Sequence, residues 1–449
     1  MNYRLNSKEA RDLLYNYNSI PEIFPKSKPK TIKIWDETLR DGEQSPSVYL
    51  TKDEKIEIAK ALDQVGVEII AVGFPAVSES EFATVKALVG ENFDNSTIVA
   101  IARPRESDID ACIKADLNEI VLFMPISELM MNILKTTPEE ELILIDKMIH
   151  YAKDHGVRVN WVSEDASRAH PEHLINVYKT AIEAGVERIV LSDTVGVLSP
   201  PSMAYLADLV QSKALKGHEN VGLGVHTHND FGLAVANTVE AVFHGARFPH
   251  TCVNGYGERA GNAALEEVVM ILERNNINTG IKLERLYELS KLVEKHFCLP
   301  LSPHKPIVGE FAFSHESGLH VNAILSHPLS YEPINPKIVG RNRKFYLGKL
   351  SGSGAITNAL VEKLKLIDMN FPKEVVKDIV REVKSKQENA PKDQIRESFQ
   401  EIKGNLGKIT SGVSDKEFYE IVREVSGDKF EKYVQNGGNR KTKPNEKGK

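Results

Sequence analysis

The chain has 449 residues, of which 41% are hydrophobic and 27% are charged, and its formal net charge is −6 at pH 7. This length allows one large domain with a smaller additional part, and the negative charge argues against nucleic acid as the main partner. No apolar run approaches the roughly 18 residues that span a membrane, and residues 1–30 lack the apolar core of a secretory signal. We therefore expect a cytoplasmic protein without a membrane partner.

Apolar runs and amphipathic stretches alternate over residues 31–275, after an N-terminal arm formed by residues 1–30. Runs of strand type are predicted at residues 32–35, 67–72, 97–102, 118–124, 157–162, 187–191, 221–225 and 247–253. A helical stretch separates each run from the next. Eight such units in about 250 residues predict an α/β fold, a (β/α)8 TIM barrel. A doubly wound open sheet is the alternative, but no glycine-rich phosphate-binding turn follows the first strand.

Two of the predicted helices begin with a capping box. Thr51 is followed three residues later by Glu54, and Thr137 is followed in the same way by Glu140. In this arrangement the hydroxyl and the carboxylate each accept a hydrogen bond from a free backbone N–H group of the first turn. Helices are therefore predicted to start at these two positions.

The chain beyond the predicted barrel divides by composition into three segments. Residues 276–350 are interpreted as a linker and lid subdomain, and residues 351–435 as a mostly helical C-terminal subdomain. Residues 436–449 are basic and poor in helix-forming pattern, and we expect this tail to be disordered.

Polar and ionisable residues follow the predicted strands at their C-terminal ends, where a barrel of this type has its active site. His226 and His228 end the seventh strand, and because strand side chains repeat every two residues, both imidazoles project from one face. An isolated pair of this kind is often only a polar strand end. Asp41 adds a carboxylate after the first strand. The residues that gather at this mouth are Arg40, Asp41, Gln44, Glu164, Asp165, Asp193, Thr194, His226, His228, Asn229, Asn254, Glu258, Arg259 and Asn262.

One carboxylate and two imidazoles predict a divalent metal site with open coordination positions. This ligand set suits Mn²⁺ or Mg²⁺, and it also suits Zn²⁺ or Co²⁺. Non-haem Fe(II) oxygenases use the same ligands, so the ligands alone do not define the chemistry. Arg40 stands beside the metal ligand, and a guanidinium pairs with carboxylates and oxyanions. A 2-oxo acid that chelates the metal would therefore have its carbonyl polarised by two cations.

Three segments carry a resemblance to a known family: residues 36–46 (DETLRDGEQSP), residues 226–230 (HTHND) and residues 254–263 (NGYGERAGNA). They resemble the signatures of the DRE-TIM metallolyase superfamily, and in particular its Claisen-condensing synthases for 2-isopropylmalate, homocitrate, citramalate and Re-type citrate. The resemblance covers roughly residues 30–356. It implies condensation of acetyl-CoA with a 2-oxo acid, thioester hydrolysis, and a homodimer whose lid is exchanged between subunits.

The resemblance also implies roles for individual residues. The metal ligands fall on Asp41, His226 and His228, with Asn262 close by. The residues that would bind the 2-oxo acid are Arg40, Gln44, Asn160 and Thr194. The acyl-CoA side falls on Gly255, Gly257, Glu258 and Arg259. The catalytic groups are Arg40, Glu164, and, in the lid, His320 with its expected neighbour Tyr331.

The identity of the 2-oxo acid is inferred from departures from the family pattern. Asn160 stands where some homocitrate enzymes have an arginine that binds the distal carboxylate, and oxaloacetate, whose second carboxylate is nearer, fits this change. The C-terminal part lacks the strand-rich regulatory domain of typical 2-isopropylmalate synthases. The sequence therefore favours citrate as the product, followed by homocitrate and then 2-isopropylmalate. Metal-dependent lyases and aldolases, which share this barrel, are the alternative class.

Overall fold

The structure is a computed structural model that describes residues 13–364, 371–409 and 412–427. The predicted tail at residues 436–449 and the start of the predicted N-terminal arm lie outside these residues. Two compact units make up the chain, and the boundary between them falls between Pro391 and Lys392.

Eight parallel strands form a closed barrel in the first unit, with the strands in sequential order and β1 paired with β8. The strands are β1 (Trp35–Asp36), β2 (Ile69–Ala71), β3 (Thr97–Ala102), β4 (Glu119–Pro125), β5 (Arg158–Glu164), β6 (Arg188–Asp193), β7 (Gly222–Thr227) and β8 (Phe248–Thr251). Each of the eight predicted runs contains or overlaps one of these strands. The predicted TIM barrel is confirmed, although β1, β2 and β8 are shorter than the apolar runs that predicted them.

Helices connect the strands and cover the outside of the barrel, as expected for parallel strands joined by crossovers. These helices are α1 (Lys52–Val65), α2 (Glu79–Val89), α3 (Glu106–Lys114), α4 (Glu128–Leu134), α5 (Pro138–Asp154), α6 (Pro171–Ala184), α7 (Pro200–Lys213), α8 (Ala234–Phe243) and α9 (Leu265–Arg274). Both predicted capping boxes are present, at the starts of α1 and α5. The short helix α4, which follows β4, was not predicted.

The hydrophobic core has two parts. The larger part lies between the strands and the surrounding helices, where α1 contributes its buried face of Ile58, Leu62 and Val65. The smaller part includes Trp35 and Val121. These apolar side chains fill the interior of the barrel. The polar residues at the C-terminal ends of the strands therefore line its mouth.

The first unit continues beyond the barrel with four further helices and a two-stranded parallel sheet. These elements are α10 (Leu286–Phe297), β9 (Ser314–His315), α11 (Gly318–Ser326), β10 (Lys344–Phe345), α12 (Ser353–Leu364) and α13 (Lys373–Glu388). In the second unit, the described regular structure consists of α14 (Lys392–Ile409) and α15 (Asp415–Ser426). The prediction of a helical C-terminal part is confirmed. None of the described helices has the length and apolar character needed to cross a membrane.

Candidate active site

A cavity of about 320 Å³ opens at the C-terminal mouth of the barrel. The closed sheet brings together side chains that lie far apart along the chain, because every strand delivers its last residues to the same end. The predicted site residues that line this cavity are Arg40, Asp41, Gln44, Glu164, Thr194, His226, His228, Glu258 and Arg259.

Asp41, His226 and His228 form a compact cluster of possible metal ligands. The Oδ2 atom of Asp41 lies 3.2 Å from Nε2 of His226 and 3.7 Å from Nε2 of His228. The two Nε2 atoms lie 3.2 Å from each other. All three side chains are buried, and one ligand atom from each lies within 4.8 Å of the others, so the three residues can share one ion.

The protonation of this cluster fits a metal site, because metal ligands must be deprotonated. Burial and, after it, the neighbouring His226 lower the pKa of His228 to about 3, so this imidazole is neutral. Burial alone would raise the pKa of Asp41, but Arg40 and then His226 hold it well below its ordinary value.

Asn262 offers a fourth possible ligand atom, an amide oxygen, next to the cluster. Its Oδ1 atom is buried and has no hydrogen-bond partner among the described residues. Its backbone forms an isolated antiparallel bridge with His228. An amide oxygen without a partner in a buried site is costly, and a bound divalent ion would satisfy it. The donor set therefore fits a hard or borderline divalent ion.

Arg40 lies between two carboxylates at the edge of the cavity. Its Nε donates to Oε2 of Glu37 at 2.7 Å, and its Nη1 donates to Oδ2 of Asp41 at 3.1 Å. The side chain is 18% exposed, so the guanidinium is accessible from the cavity. This position fits the predicted role of Arg40, in which it binds an anionic group that also approaches Asp41.

Glu164 is the last residue of β5, and Thr194 directly follows the neighbouring strand β6. Burial raises the pKa of Glu164, and Asp165 raises it further, while Arg40 and His226 act in the opposite direction. The Thr194 hydroxyl accepts a hydrogen bond from the backbone N–H of Asp165 at 2.8 Å. A carboxyl group that lines a cavity and has a raised pKa is a candidate for proton transfer.

Asp165 and Asp193, which the sequence also placed at the mouth, have structural partners. The carboxylate of Asp165 accepts two hydrogen bonds from Arg168, at 2.7 and 2.8 Å. The carboxylate of Asp193 accepts hydrogen bonds from the backbone N–H groups of Val197 and Leu198, both at 3.1 Å. These contacts fix the loops after β5 and β6.

The predicted acyl-CoA segment is a tightly packed loop after β8. Gly261 has φ +86°, and a Cβ atom there would lie 2.0 Å from the carbonyl oxygen of Gly255, so the loop requires glycine at this position. The backbone N–H of Gly257 donates to the Ser45 hydroxyl at 2.9 Å, which ties this loop to the segment after β1. Gly255 and Gly257 do not line the cavity, whereas Glu258 and Arg259 do.

Arg259 lies at the rim and is 39% exposed. Its guanidinium donates to both carboxylate oxygens of Asp230, at 2.8 and 2.9 Å, and to the carbonyl oxygen of Thr194 at 2.7 Å. The backbone N–H of Glu258 approaches Oδ1 of Asp41 at 3.3 Å. The loop after β8 is thereby attached to the metal-binding cluster.

The structure corrects the prediction that Asn160 contributes to the substrate pocket. Its side chain is fully buried, and its amide nitrogen donates to Oε1 of Glu119 at 2.9 Å. Its oxygen accepts a hydrogen bond from Arg188 at 2.9 Å. Asn160 precedes Val162 by two residues on β5, so it lies roughly 7 Å deeper in the barrel. It belongs to a polar network deep in the barrel and does not line the cavity.

His320 and Tyr331 are neighbours, as the resemblance implied. Their rings are stacked, with centroids 4.0 Å apart, in and just after α11. The ring of His315 lies 6.2 Å from that of His320. None of these three side chains lines the barrel cavity. Their catalytic role stays a prediction.

The sequence analysis missed the apolar wall of the cavity. This wall is formed by Phe74, Ile101, Val121, Phe123 and Val162. Strand periodicity carried a signal for one of them, since Val162 precedes Glu164 by two residues and therefore shares its face of β5. Apolar residues on strands are ordinarily read as core, which is why this signal was overlooked.

Comparison with known proteins identifies the family of the chain. Residues 31–293 match the model of the HMGL-like family, and residues 307–391 match the "Homocitrate synthase post-HMGL domain-like" model. The chain is 45% identical over 358 residues to a probable 2-isopropylmalate synthase of Ignicoccus hospitalis, covering 79% of this chain and 88% of that protein. It is 41% identical over 372 residues to the homocitrate synthase AksA of Methanocaldococcus jannaschii, covering 82% and 89%.

Among solved structures, the hydroxymethylglutaryl-CoA (HMG-CoA) lyase of Bacillus subtilis has the same barrel, with a TM-score of 0.55 and 22% identity. The similarity covers 61% of this chain and 96% of the lyase. The chain therefore belongs to the HMGL-like family and, within it, to the Claisen-condensing synthases of the DRE-TIM metallolyase superfamily.

Proposed function

We propose that this chain condenses acetyl-CoA with a 2-oxo acid that carries a short apolar side chain, and then hydrolyses the thioester. The reaction type, that of an acetyl-CoA-dependent 2-oxo acid synthase, is supported by relatives named 2-isopropylmalate synthase and homocitrate synthase. The preference for a 2-oxo acid with an apolar side chain is inferred from one observation, namely that apolar side chains form one wall of the cavity.

Asp41, His226 and His228, with Asn262 beside them, would hold the divalent ion. When bound, such an ion supplies a Lewis acid that polarises a carbonyl oxygen. Arg40 binds and orients the carboxylate or the keto oxygen of the 2-oxo acid from the adjacent side, as its exposed guanidinium allows. Thr194 contributes a hydroxyl at the same end of the cavity. These groups present the keto carbon as an electrophile.

The condensation also needs a base, because the α-proton of a thioester is weakly acidic. We assign proton transfer to Glu164, whose carboxyl group lines the cavity and has a raised pKa. The methyl carbon of the acetyl group, after losing its proton, attacks the keto carbon, and the keto oxygen gains a proton. Water then cleaves the thioester and releases the CoA thiol. His320, stacked on Tyr331, is the proposed acid or base contributed by the lid.

The apolar wall favours a side chain without charge. Burying a carboxylate against Phe123 and Val162 without a cation would carry a large desolvation penalty. The two cations that line the cavity, Arg40 and Arg259, already pair with carboxylates of the chain. Preference for oxaloacetate depended on Asn160, which lies deeper in the barrel than the cavity. A 2-oxo acid of the 2-oxoisovalerate type therefore fits best.

Oxaloacetate, giving citrate, is the second candidate. The specific observation in its favour is Arg259, a half-exposed guanidinium at the rim that can reach a nearby second carboxylate if it leaves Asp230. From the family resemblance we also propose a cytoplasmic homodimer in which the lid carrying His320 is exchanged between subunits.

The test measures release of the CoA thiol from acetyl-CoA by the Mn²⁺- or Mg²⁺-loaded protein, with one 2-oxo acid at a time. The panel contains 2-oxoisovalerate, pyruvate, oxaloacetate and 2-oxoglutarate. We expect the highest kcat/KM with 2-oxoisovalerate or pyruvate. A preference for oxaloacetate would support the second candidate and contradict the first. No thiol release with any acid would contradict both and favour the lyase class.

A further inference from the structure

Glu37 is a buried carboxylate that borders the cavity beside Arg40. Its side chain is 2% exposed, and its Oε2 accepts the hydrogen bond from Nε of Arg40 at 2.7 Å. Its backbone is also fixed, because its N–H donates to the carbonyl oxygen of Thr251 at 2.8 Å. In addition, its own carbonyl oxygen accepts from the N–H groups of Arg40 and Gly42, at 3.1 and 3.0 Å. The geometry of Glu37 is therefore imposed by β1, β8 and the turn that carries the metal ligand Asp41.

His250, on the neighbouring strand β8, contacts the carboxylate of Glu37. Its Nδ1 lies 3.0 Å from Oε1 of Glu37, and its ring stacks on Trp35 with centroids 4.4 Å apart. Both rings are buried, and β1 and β8 are adjacent in the sheet, with Trp35 level with His250. The carboxylate of Glu37 thus contacts both Arg40 and a buried layer of two stacked rings.

The charges in this arrangement are fixed. Burial would raise the pKa of Glu37, but Arg40, followed by His250, lowers it to about 2. Burial lowers the pKa of His250 to about 4, so this imidazole is neutral. Glu37 is therefore an anion and Arg40 a cation throughout the physiological range.

The guanidinium of Arg40 is hydrogen-bonded to two carboxylates, those of Glu37 and Asp41. Nε donates to Glu37 and Nη1 donates to Asp41, while no described residue accepts a hydrogen bond from Nη2. Without Glu37, the guanidinium would be free to rotate and pair more fully with Asp41, because a fork-like pair with a carboxylate is its preferred geometry. Such rotation would remove Nη2 from the cavity.

We propose that Glu37 is a positioning residue for the reaction: it holds the guanidinium of Arg40 so that one terminal nitrogen faces the 2-oxo acid, and the stacked pair of His250 and Trp35 holds Glu37 in turn. This inference rests on the proposed function of Arg40 in binding the 2-oxo acid. Glu37 acts through Arg40 and does not itself take up a proton.

The test compares E37Q and E37D with a matched control, E119Q. Glu119 is 1% exposed and pairs with Arg188 at 2.6 Å, so it is also a buried glutamate beside an arginine in the same barrel, away from the cavity. For each variant, kcat and the KM values for the 2-oxo acid and for acetyl-CoA are measured. Equilibrium binding of the 2-oxo acid, the retained metal content and the melting temperature are measured as well.

For E37Q we expect the KM of the 2-oxo acid to rise at least tenfold and its equilibrium affinity to fall by a similar factor. The KM of acetyl-CoA and the metal content should stay within threefold of the unaltered protein. E37D, which keeps the charge but is one methylene shorter, should show a smaller increase, and it carries the test if E37Q does not fold. E119Q should lower the melting temperature without raising the KM of the 2-oxo acid.

Two results would overturn the inference. One is a KM for the 2-oxo acid within threefold of the unaltered value in E37Q, or in E37D if only that variant folds. The other is a rise in the KM of the 2-oxo acid that is matched by an equal rise in the KM of acetyl-CoA and that also occurs in E119Q. That result would indicate a general structural effect. Failure of the unaltered protein to turn over any 2-oxo acid would instead contradict the proposed function, and with it the role of Arg40.

Discussion

The Oδ2 atom of Asp41 lies 3.2 Å from the Nε2 atom of His226, although Asp41 follows the first strand of the barrel and His226 belongs to the seventh. Closure of the sheet through β8 produces this contact, since β8 pairs with both β1 and β7. The turn after β1 also bonds to the loop after β8, where Ser45 and Gly257 share two hydrogen bonds. The candidate metal-binding cluster of Asp41, His226 and His228 is thus a product of the closed barrel.

The first prediction concerns metal retention. D41A or H226A should retain less than a tenth of the Mn²⁺ held by the unaltered protein after gel filtration, because the remaining ligands cannot fill the coordination sphere. Metal content is measured by mass spectrometry and folding by circular dichroism. D208N is the control, since Asp208 contacts His244 at 2.9 Å at an exposed site. Full metal retention in both D41A and H226A would show that this cluster does not bind the metal.

The second prediction concerns Glu164. E164Q should lower kcat about 100- to 10,000-fold, the usual contribution of a positioned acid or base. Binding of metal and of the 2-oxo acid should stay within threefold. Glu141, buried beside His173 at 2.9 Å between α5 and α6, provides the control variant E141Q. If E164Q retains more than a third of the unaltered kcat, proton transfer must be assigned to another group.

The third prediction concerns substrate choice. V162R places a cation on the apolar wall, where it can pair with a distal carboxylate and remove the desolvation penalty. The kcat/KM ratio of oxaloacetate to 2-oxoisovalerate should rise at least tenfold, measured by thiol release. V162L keeps the wall apolar and should change this ratio less than threefold. An unchanged ratio in V162R would mean that this wall does not contact the side chain of the substrate.

The fourth prediction concerns the pH dependence of stability. Burial raises the pKa of Asp36 to about 7, and its Oδ2 has no hydrogen-bond partner among the described residues. An unfolded aspartate has a pKa of about 3.9. Between these values the folded state binds more protons than the unfolded state. The free energy of unfolding should therefore fall as pH rises from about 4 to about 7, by up to about 1.4 kcal/mol per pH unit.

D36N removes this titration. Urea unfolding at pH 5, 6, 7 and 8 should show D36N gaining stability relative to the unaltered protein up to about pH 7, with no further gain at pH 8. D53N, at an exposed position in the first turn of α1, is the control and should show no such trend. A constant difference between D36N and the unaltered protein at all four pH values would contradict the raised pKa.

The fifth prediction concerns the lid. H320N should lower kcat more than it raises either KM, because an acid or base acts in the chemical step. H315N should change kcat less than threefold, since the resemblance assigns the acid or base role to His320. If H320N mainly raises the KM of acetyl-CoA, His320 has a binding role.

The architecture and the metal-binding cluster were predictable from local sequence patterns. Strand runs and capping boxes depend on neighbouring residues, and the rule that strand C-termini form the mouth is sufficient to bring Asp41, His226 and His228 together. The structure confirmed the barrel, the two capping boxes and the proximity of these three side chains.

The depth of a side chain inside the barrel could not be predicted from local sequence patterns. Asn160 lies on the inner face as expected, but its distance from the mouth depends on partners from β4 and β6, Glu119 and Arg188, which sequence spacing does not reveal. The support of Arg40 by Glu37 and His250 likewise depends on the register between β1 and β8. Such relationships between strands appear only when the sheet closes.

The most direct test of the proposed chemistry is detection of the new carbon–carbon bond. The metal-loaded protein is incubated with acetyl-CoA labelled with ¹³C at the methyl carbon and with 2-oxoisovalerate labelled with ¹³C at the keto carbon. We predict a product whose NMR spectrum shows one-bond coupling between the two labelled carbons, together with one equivalent of free thiol. Thiol release without this coupling for every 2-oxo acid in the panel would show simple thioester hydrolysis and would contradict the account.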